Sequence, residues 1–132
     1  MARSQTSKKQ HIRDAEVTQQ QILDAAEIEF VRHGLKGARL SAIAERAKIT
    51  TAMIHYYFEN KEGLYQAVLQ RPIDEVQSRV GQLNLDHLSP EDALQQIIRC
   101  AIVYESANPH RQMLWFQEAS QNQGLYFKQS NV

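Results

Sequence analysis

Three observations predict an all-α fold for this chain. Apolar residues recur at helical spacing along most of its 132 residues. Helix-start signals recur at Thr50, Asn60, Ser89-Pro90 and Asn108-Pro109. No useful length alternates apolar with polar residues, as a half-buried strand would. Apolar residues make up 42% of the chain, enough for a packed core.

Residues 1–17 are polar and are expected to form a flexible basic arm. Arg3, Lys8, Lys9 and Arg13 fall in the first thirteen residues with no acid among them, a pattern compatible with nucleic-acid contact. Thr18 is the expected cap of a helix from about Gln19 to His33. Ile22, Ala26 and Phe30 repeat at i, i+4, i+8, and Leu23 widens the stripe. His33 and Gly34 suit its C-terminus, and Leu35 to Leu40 is a connector.

A short helix is expected over Leu40 to Ala47, burying Leu40, Ile43, Ala44 and Ala47. A turn at Lys48-Ile49 leads to the cap Thr50 and a second short helix from Thr51 to Phe58, with Ile54 and Phe58 inward. Glu59-Asn60 ends it, and Asn60 caps a fourth helix carrying Leu64, Val68 and Leu69. Pro72 is expected to kink that helix or end it near Gln70 or Arg71. Ser89-Pro90-Glu91-Asp92 is a strong start for a helix burying Leu94, Ile97, Ile98, Ala101 and Ile102. The last helix follows Asn108-Pro109, carries Met113 to Phe116 and ends before Gly124.

The net charge of zero hides an asymmetry. Residues 1–65 hold ten Lys/Arg against eight Asp/Glu, and residues 66–132 hold five against seven. No run approaches the roughly 18 apolar residues of a membrane span. The N-terminus lacks the apolar core of a signal peptide, so a cytoplasmic location is expected. The lone Cys100 lies in an apolar stretch and is expected to be an inert core thiol. His11, His33, His55, His87 and His110 are scattered without metal-ligand spacing, so no metal is expected. With no nucleophile elbow or phosphate loop, neither catalysis nor a cofactor is expected.

Two short helices joined by a tight turn and braced by neighbours form a helix-turn-helix pattern, in which the second helix protrudes towards the major groove. QILDAAEIEFVRHGLKG (21–37), LSAIAERAKIT (40–50) and IHYYFENKEGLYQAVL (54–69) resemble the DNA-binding domain of the TetR family of transcriptional repressors. The resemblance implies that a fourth helix links a three-helix DNA-binding domain (18–70) to a partial ligand and dimerisation domain (71–132). It implies a homodimer on the double-stranded DNA of a palindromic operator, released by a small-molecule effector.

The resemblance also carries site residues. Thr50 and Thr51 open the implied recognition helix, and Ala52, Met53 and His55 fall where the family faces groove or phosphate. Tyr56 and Lys61 match phosphate contacts. Two positions depart from the family. Lys48 stands where a glycine is common in the turn, which implies a left-handed lysine or an added phosphate contact. Arg39 stands near where a hydroxyl is common, which implies an ionic phosphate contact. His55 is open to base contact, phosphate contact or plain solvation, whereas Tyr57 and Phe58 are expected in the core. Ile98, Ile102, Tyr104, Met113, Trp115 and Phe116 are open to two readings, ligand cavity or core.

The chain stops before the helices that build the family's dimer bundle. It is therefore expected to dimerise poorly, and the absence of that bundle is expected to leave the otherwise buried Ile97, Ile98, Ala101 and Ile102 as exposed apolar surface. A different class of reading is an interaction protein that pairs with a full-length relative, or a remnant without regulatory activity.

Overall fold

The computed structural model describes residues 2–126. Its helices are α1 (Ala2–Gly37), α2 (Leu40–Ala47), α3 (Thr51–Phe58), α4 (Lys61–Gly81), α5 (Pro90–Ala107) and α6 (Pro109–Gln121). No strand occurs among the described residues. The helices group into two compact units that divide after Tyr65, inside α4.

In the first unit, α1 starts at Ala2 rather than at Gln19, so the residues expected as a flexible arm are helical. No glycine or proline interrupts residues 2–33, and Ala, Arg, Lys, Gln and Glu predominate among residues 2–17. Gln10 Nε2 donates to Asp14 Oδ1 one turn on, at 3.1 Å. Thr18 caps nothing; its hydroxyl donates to the Asp14 carbonyl at 2.8 Å inside the helix. The regular helix breaks at Gly34, whose φ of 68° is open to glycine without a Cβ penalty, and one more turn runs to Gly37.

Ile22, Ala26 and Phe30 of α1 are buried with Ala38, Ile43, Ala44, Ile54, Leu64 and Tyr65. The Phe30 and Tyr65 rings meet edge to face with centroids 5.0 Å apart, which holds the start of α4 against α1. Small Ala44 allows the close packing of α2 on its neighbours. Leu40 and Ala47, expected in the core, are half-buried.

In the second unit α4 continues through Pro72 to Gly81, so of the two expected outcomes, a kink at Pro72 or an end near Gln70 or Arg71, the end does not occur. An interior proline costs a helix about 3 kcal/mol by removing one N–H and crowding the preceding turn. Val68, Leu69, Arg71 and Pro72 are all buried, and that packing outweighs the local cost. α5 starts as expected: Ser89 Oγ accepts from the Asp92 N–H at 3.2 Å, behind Pro90. Asn108 differs from expectation. Its side chain does not cap α6 but donates to the Tyr104 carbonyl at 2.8 Å, closing the end of α5. Cys100 is half-buried rather than in the core.

The turn after α6 is organised by Glu118, which is wholly buried. Its carboxylate accepts from Asn122 Nδ2 at 2.9 Å and from the Tyr126 N–H at 2.7 Å. Phe127–Val132 lie outside the described residues.

Candidate nucleic-acid interface and an apolar hollow

The two short helices are joined by backbone devices that fix their crossing. Lys48 takes φ 57°, ψ 44°, the left-handed conformation. The Lys48 N–H bonds to the Glu45 carbonyl at 3.2 Å and the Ile49 N–H to the Ala44 carbonyl at 3.0 Å, a Schellman closure of α2. A lysine in this conformation carries a cost that glycine would not. Thr50 then caps α3, its Oγ1 accepting from the Met53 N–H at 3.3 Å. Thr50 is exposed, and accepting leaves its own O–H hydrogen for another acceptor.

The far end of α3 is tighter still. Glu59 has φ 66°, ψ −63°, and the Asn60 N–H reaches the Phe58 carbonyl at 2.8 Å. That is the strained form of the γ-turn. His55 clamps it: ring Nδ1 lies 2.7 Å from the Glu59 carbonyl, so Nδ1 carries the hydrogen and donates. Asn60 Oδ1 accepts from the Gly63 N–H at 2.7 Å, capping α4 as expected. A Cβ on Gly63 would lie 2.3 Å from the Phe58 carbonyl oxygen, so this turn admits only glycine at 63. The sequence placed the end of α3 at Glu59-Asn60 but showed neither the positive φ of Glu59 nor the role of Gly63. Positive φ at a non-glycine residue leaves no compositional signal, and Gly63 falls inside an apparent helix.

Between these two turns α3 buries Ile54 and turns Thr51, Ala52, His55 and Tyr56 outward, all four exposed. Tyr56 stands out at 81% exposure. Met53 is half-buried on the flank, and Tyr57 and Phe58 are half-buried rather than in the core. The Tyr56 and Tyr57 rings meet edge to face at 5.0 Å. Arg39 is exposed at the N-terminus of α2. Its backbone N–H makes a long contact of 3.5 Å with the buried Glu29 carboxylate.

Lys61 departs from a plain phosphate anchor. Its Nζ lies 3.3 Å from the Lys36 carbonyl oxygen and 3.2 Å from that of Ala38, tying α4 to the last turn of α1 and the residue just after it. Two of its three N–H bonds thus serve the fold.

The second unit contains a hollow of about 530 Å³. Ile73 and Val76 of α4 and Trp115 and Phe116 of α6 give it apolar walls, and Tyr104 and Arg111 supply polar groups. Arg111 Nη1 donates to Glu75 Oε2 at 2.7 Å and also to the Tyr104 hydroxyl. The Arg79 and Arg111 guanidiniums lie 5.4 and 5.5 Å from the Tyr104 ring centroid.

Burial, then the hydrogen bond to Glu75, pushes the Tyr104 phenol up to about 12, so it stays neutral. Burial opposes the charge on Glu75. Hydrogen bonds from Tyr104 and Arg111 and the nearby Arg111 and Arg71 charges outweigh it and hold the carboxyl below its usual range. Of the six expected cavity residues, Tyr104, Trp115 and Phe116 line this hollow. Ile98 and Ile102 line a shallow groove on the exposed face of α5. Met113 is exposed and lines neither. Ile73 and Val76 escaped notice because Pro72 was expected to kink α4 or end it before them.

Residues 22–68 match the model for bacterial regulatory proteins of the tetR family. The chain belongs to the TetR family. It is 34% identical over 106 residues to the HTH-type transcriptional repressor SCO4008 of Streptomyces coelicolor, covering 80% of this chain and 52% of that one. It is 32% identical over 116 residues to the HTH-type transcriptional repressor NicS of Pseudomonas putida, covering 88% of this chain and 54% of that one. A TetR-like transcriptional regulator from Rhodococcus sp. RHA1 superposes with a TM-score of 0.70 at 26% identity, over 86% of this chain and 62% of that one. The chain spans about half the length of the curated relatives it matches. The TetR match contains every candidate DNA-contacting residue from Arg39 to Lys61. The first twenty residues of α1, Ala2 to Gln21, precede it.

Proposed function

We propose that the chain is a sequence-specific DNA-binding transcriptional repressor that inserts α3 into the major groove of a palindromic operator. One observation carries the reading. Thr51, Ala52, His55 and Tyr56 form an exposed face on a helix held at both ends by specialised turns, away from the buried Ile54. A face fixed in that way costs little ordering entropy when it meets DNA. Ala52 and Met53 supply apolar contact of the kind that suits a thymine methyl. Thr50, Tyr56, Arg39, Lys48 and Lys61 supply donors to phosphates, which set register without reading sequence.

The test is selection of bound duplexes from a random pool by the wild type and by Met53→Arg. The selected motif is expected to change with Met53→Arg. An identical motif would remove Met53 from the reading surface. No enriched motif for the wild type would end the repressor reading. Lys61→Ala is expected to weaken all duplexes alike and also to lower stability, because its ammonium bridges the Lys36 and Ala38 carbonyls.

The proposal extends to regulation. A small amphipathic effector enters the hollow beside Tyr104, Trp115 and Phe116 and releases the operator, and the repressor acts in the cytoplasm as a homodimer. Neither a metal nor a cofactor enters this reading, and the chain is not proposed to be an enzyme. A second reading, pairing with a longer relative, is favoured by the apolar stripe Leu94, Ile98 and Ile102, all exposed on α5. Sedimentation beside a mobility-shift titration separates the two. A stable dimer that shifts DNA supports the homodimer, and a monomer that associates only with a longer relative supports the second.

A further inference from the structure

The helical start of α1 runs beside α3. His11, Ile12, Ala15, Glu16 and Gln19 of α1 face Ala52, Met53, Tyr56 and Tyr57 of α3 across an open groove. Met53 and Tyr57 lie on this bank of α3, and Ala52 and Tyr56 form its crest. Residues 2–10 carry α1 past the last groove residue by roughly 13 Å at 1.5 Å per residue. Lys8 lies one turn before Ile12 on the face that continues through Ala15 and Gln19. Lys9 and Arg13 share the adjoining shoulder, and all three cations are exposed. No acid occurs among residues 1–13.

We propose that the first turns of α1 are a second DNA-contacting wall, on which Lys8 and Lys9 engage phosphates of the duplex held by α3. The inference rests on the DNA-binding reading above and adds a site outside the helix-turn-helix. Helical backbone gives these lysines their role. A duplex on the crest of α3 has one strand's backbone on the side of α1, and a rigid helix presents Lys8 and Lys9 there without the ordering cost of a coil. The partner is the polyanionic backbone and not the base edges, since the overhanging turns offer long cations and small polar side chains.

The experiment is fluorescence anisotropy of the chain with a mixed-sequence duplex, titrated with KCl. Three variants accompany the wild type: Lys8→Ala/Lys9→Ala, Gln10→Pro, and the distant control Arg99→Ala. Circular dichroism and thermal unfolding check each fold. Each phosphate contact contributes about 0.9 to the slope of log affinity against log salt. The double variant is expected to flatten the slope by roughly twice that. Gln10→Pro keeps every charge but breaks the helix, and it is expected to weaken binding as well. An unchanged slope in the double variant overturns the proposal, and so does unchanged binding by Gln10→Pro. A wild type with no salt-dependent binding would instead defeat the DNA reading itself.

Discussion

The two units treat their apolar residues differently. In the first, Ile22, Phe30, Ile43, Ile54 and Leu64 are all withdrawn from water, and the large exposed apolar groups are Ile12, Val17 and Tyr56 along α1 and α3. In the second, Leu94, Ile98, Ile102 and Val103 of α5 and Met113 and Phe116 of α6 are exposed, with Phe116 at 80%. Ile97 and Ala101, expected to be exposed with them, are half-buried. A helix-turn-helix closes its core with a few small contacts because α2 and α3 are only eight residues each. α5 is eighteen residues long with apolar groups around much of its circumference, so two neighbours cannot cover it.

The largest expected contrast tests that difference directly. Ile43→Ala should cost about 2–5 kcal/mol, the range for truncating a fully buried aliphatic side chain. Ile102→Ala, at 57% exposure, should stay within about 0.5 kcal/mol. Chemical denaturation of both variants measures the pair. A loss at Ile102 as large as that at Ile43 would mean that the α5 face is covered in solution.

Glycines sharpen the comparison next. Gly63→Ala drives a Cβ into the Phe58 carbonyl oxygen and should cost about 2–4 kcal/mol in strain and rearrangement. A Cβ on Gly81 meets nothing, so Gly81→Ala should be neutral or stabilise by up to about 1 kcal/mol. Equal melting temperatures for the two variants would mean that the α3–α4 turn gives way more easily than its geometry implies.

Lys48→Gly is the smaller and opposite effect. Relief of the left-handed lysine should stabilise the first unit by about 0.5–1 kcal/mol. The same variant tests function, since a lost phosphate contact would flatten the salt slope by about 0.9. A more stable protein with an unchanged slope would leave Lys48 a turn residue alone.

The smallest effects are titrations in the second unit. Tyr104 should ionise at about 12, read as the ultraviolet difference between wild type and Tyr104→Phe. Its raised folded value stabilises the fold fully below the ordinary phenol range, and that share is lost as pH rises through about 12. Glu75 has the opposite sign. Its lowered value gives stability present above the ordinary carboxyl value of 4.5 and lost as pH falls through the folded value. Glu75→Gln should flatten the acid limb of a stability–pH curve. An ordinary tyrosine transition, or an unaltered acid limb, would mean that the Glu75–Tyr104–Arg111 cluster is open to water.

The bounds of α2 and α3, the caps Thr50, Asn60 and Ser89 and the stop at Gly34 were legible in the sequence. Each depends on the local chemistry of a few neighbouring residues, a hydroxyl or amide reaching an N–H three positions on, or a backbone angle only glycine adopts freely. The exposed face of α3 was legible for the same reason, since period and cap together orient an eight-residue helix. Other features needed tertiary structure. Residues 2–17 carry helix formers but no apolar stripe, and periodicity cannot separate such a helix from a polar coil. Pro72 is a local breaker overruled by the burial of Val68, Leu69 and Arg71. The two carbonyls on Lys61, the Cβ-excluding approach of Gly63 and the Glu75–Tyr104–Arg111 cluster join residues whose meeting no spacing encodes. Short-range hydrogen bonding is written along the chain, whereas competition between local cost and long-range packing is decided only when the chain has folded.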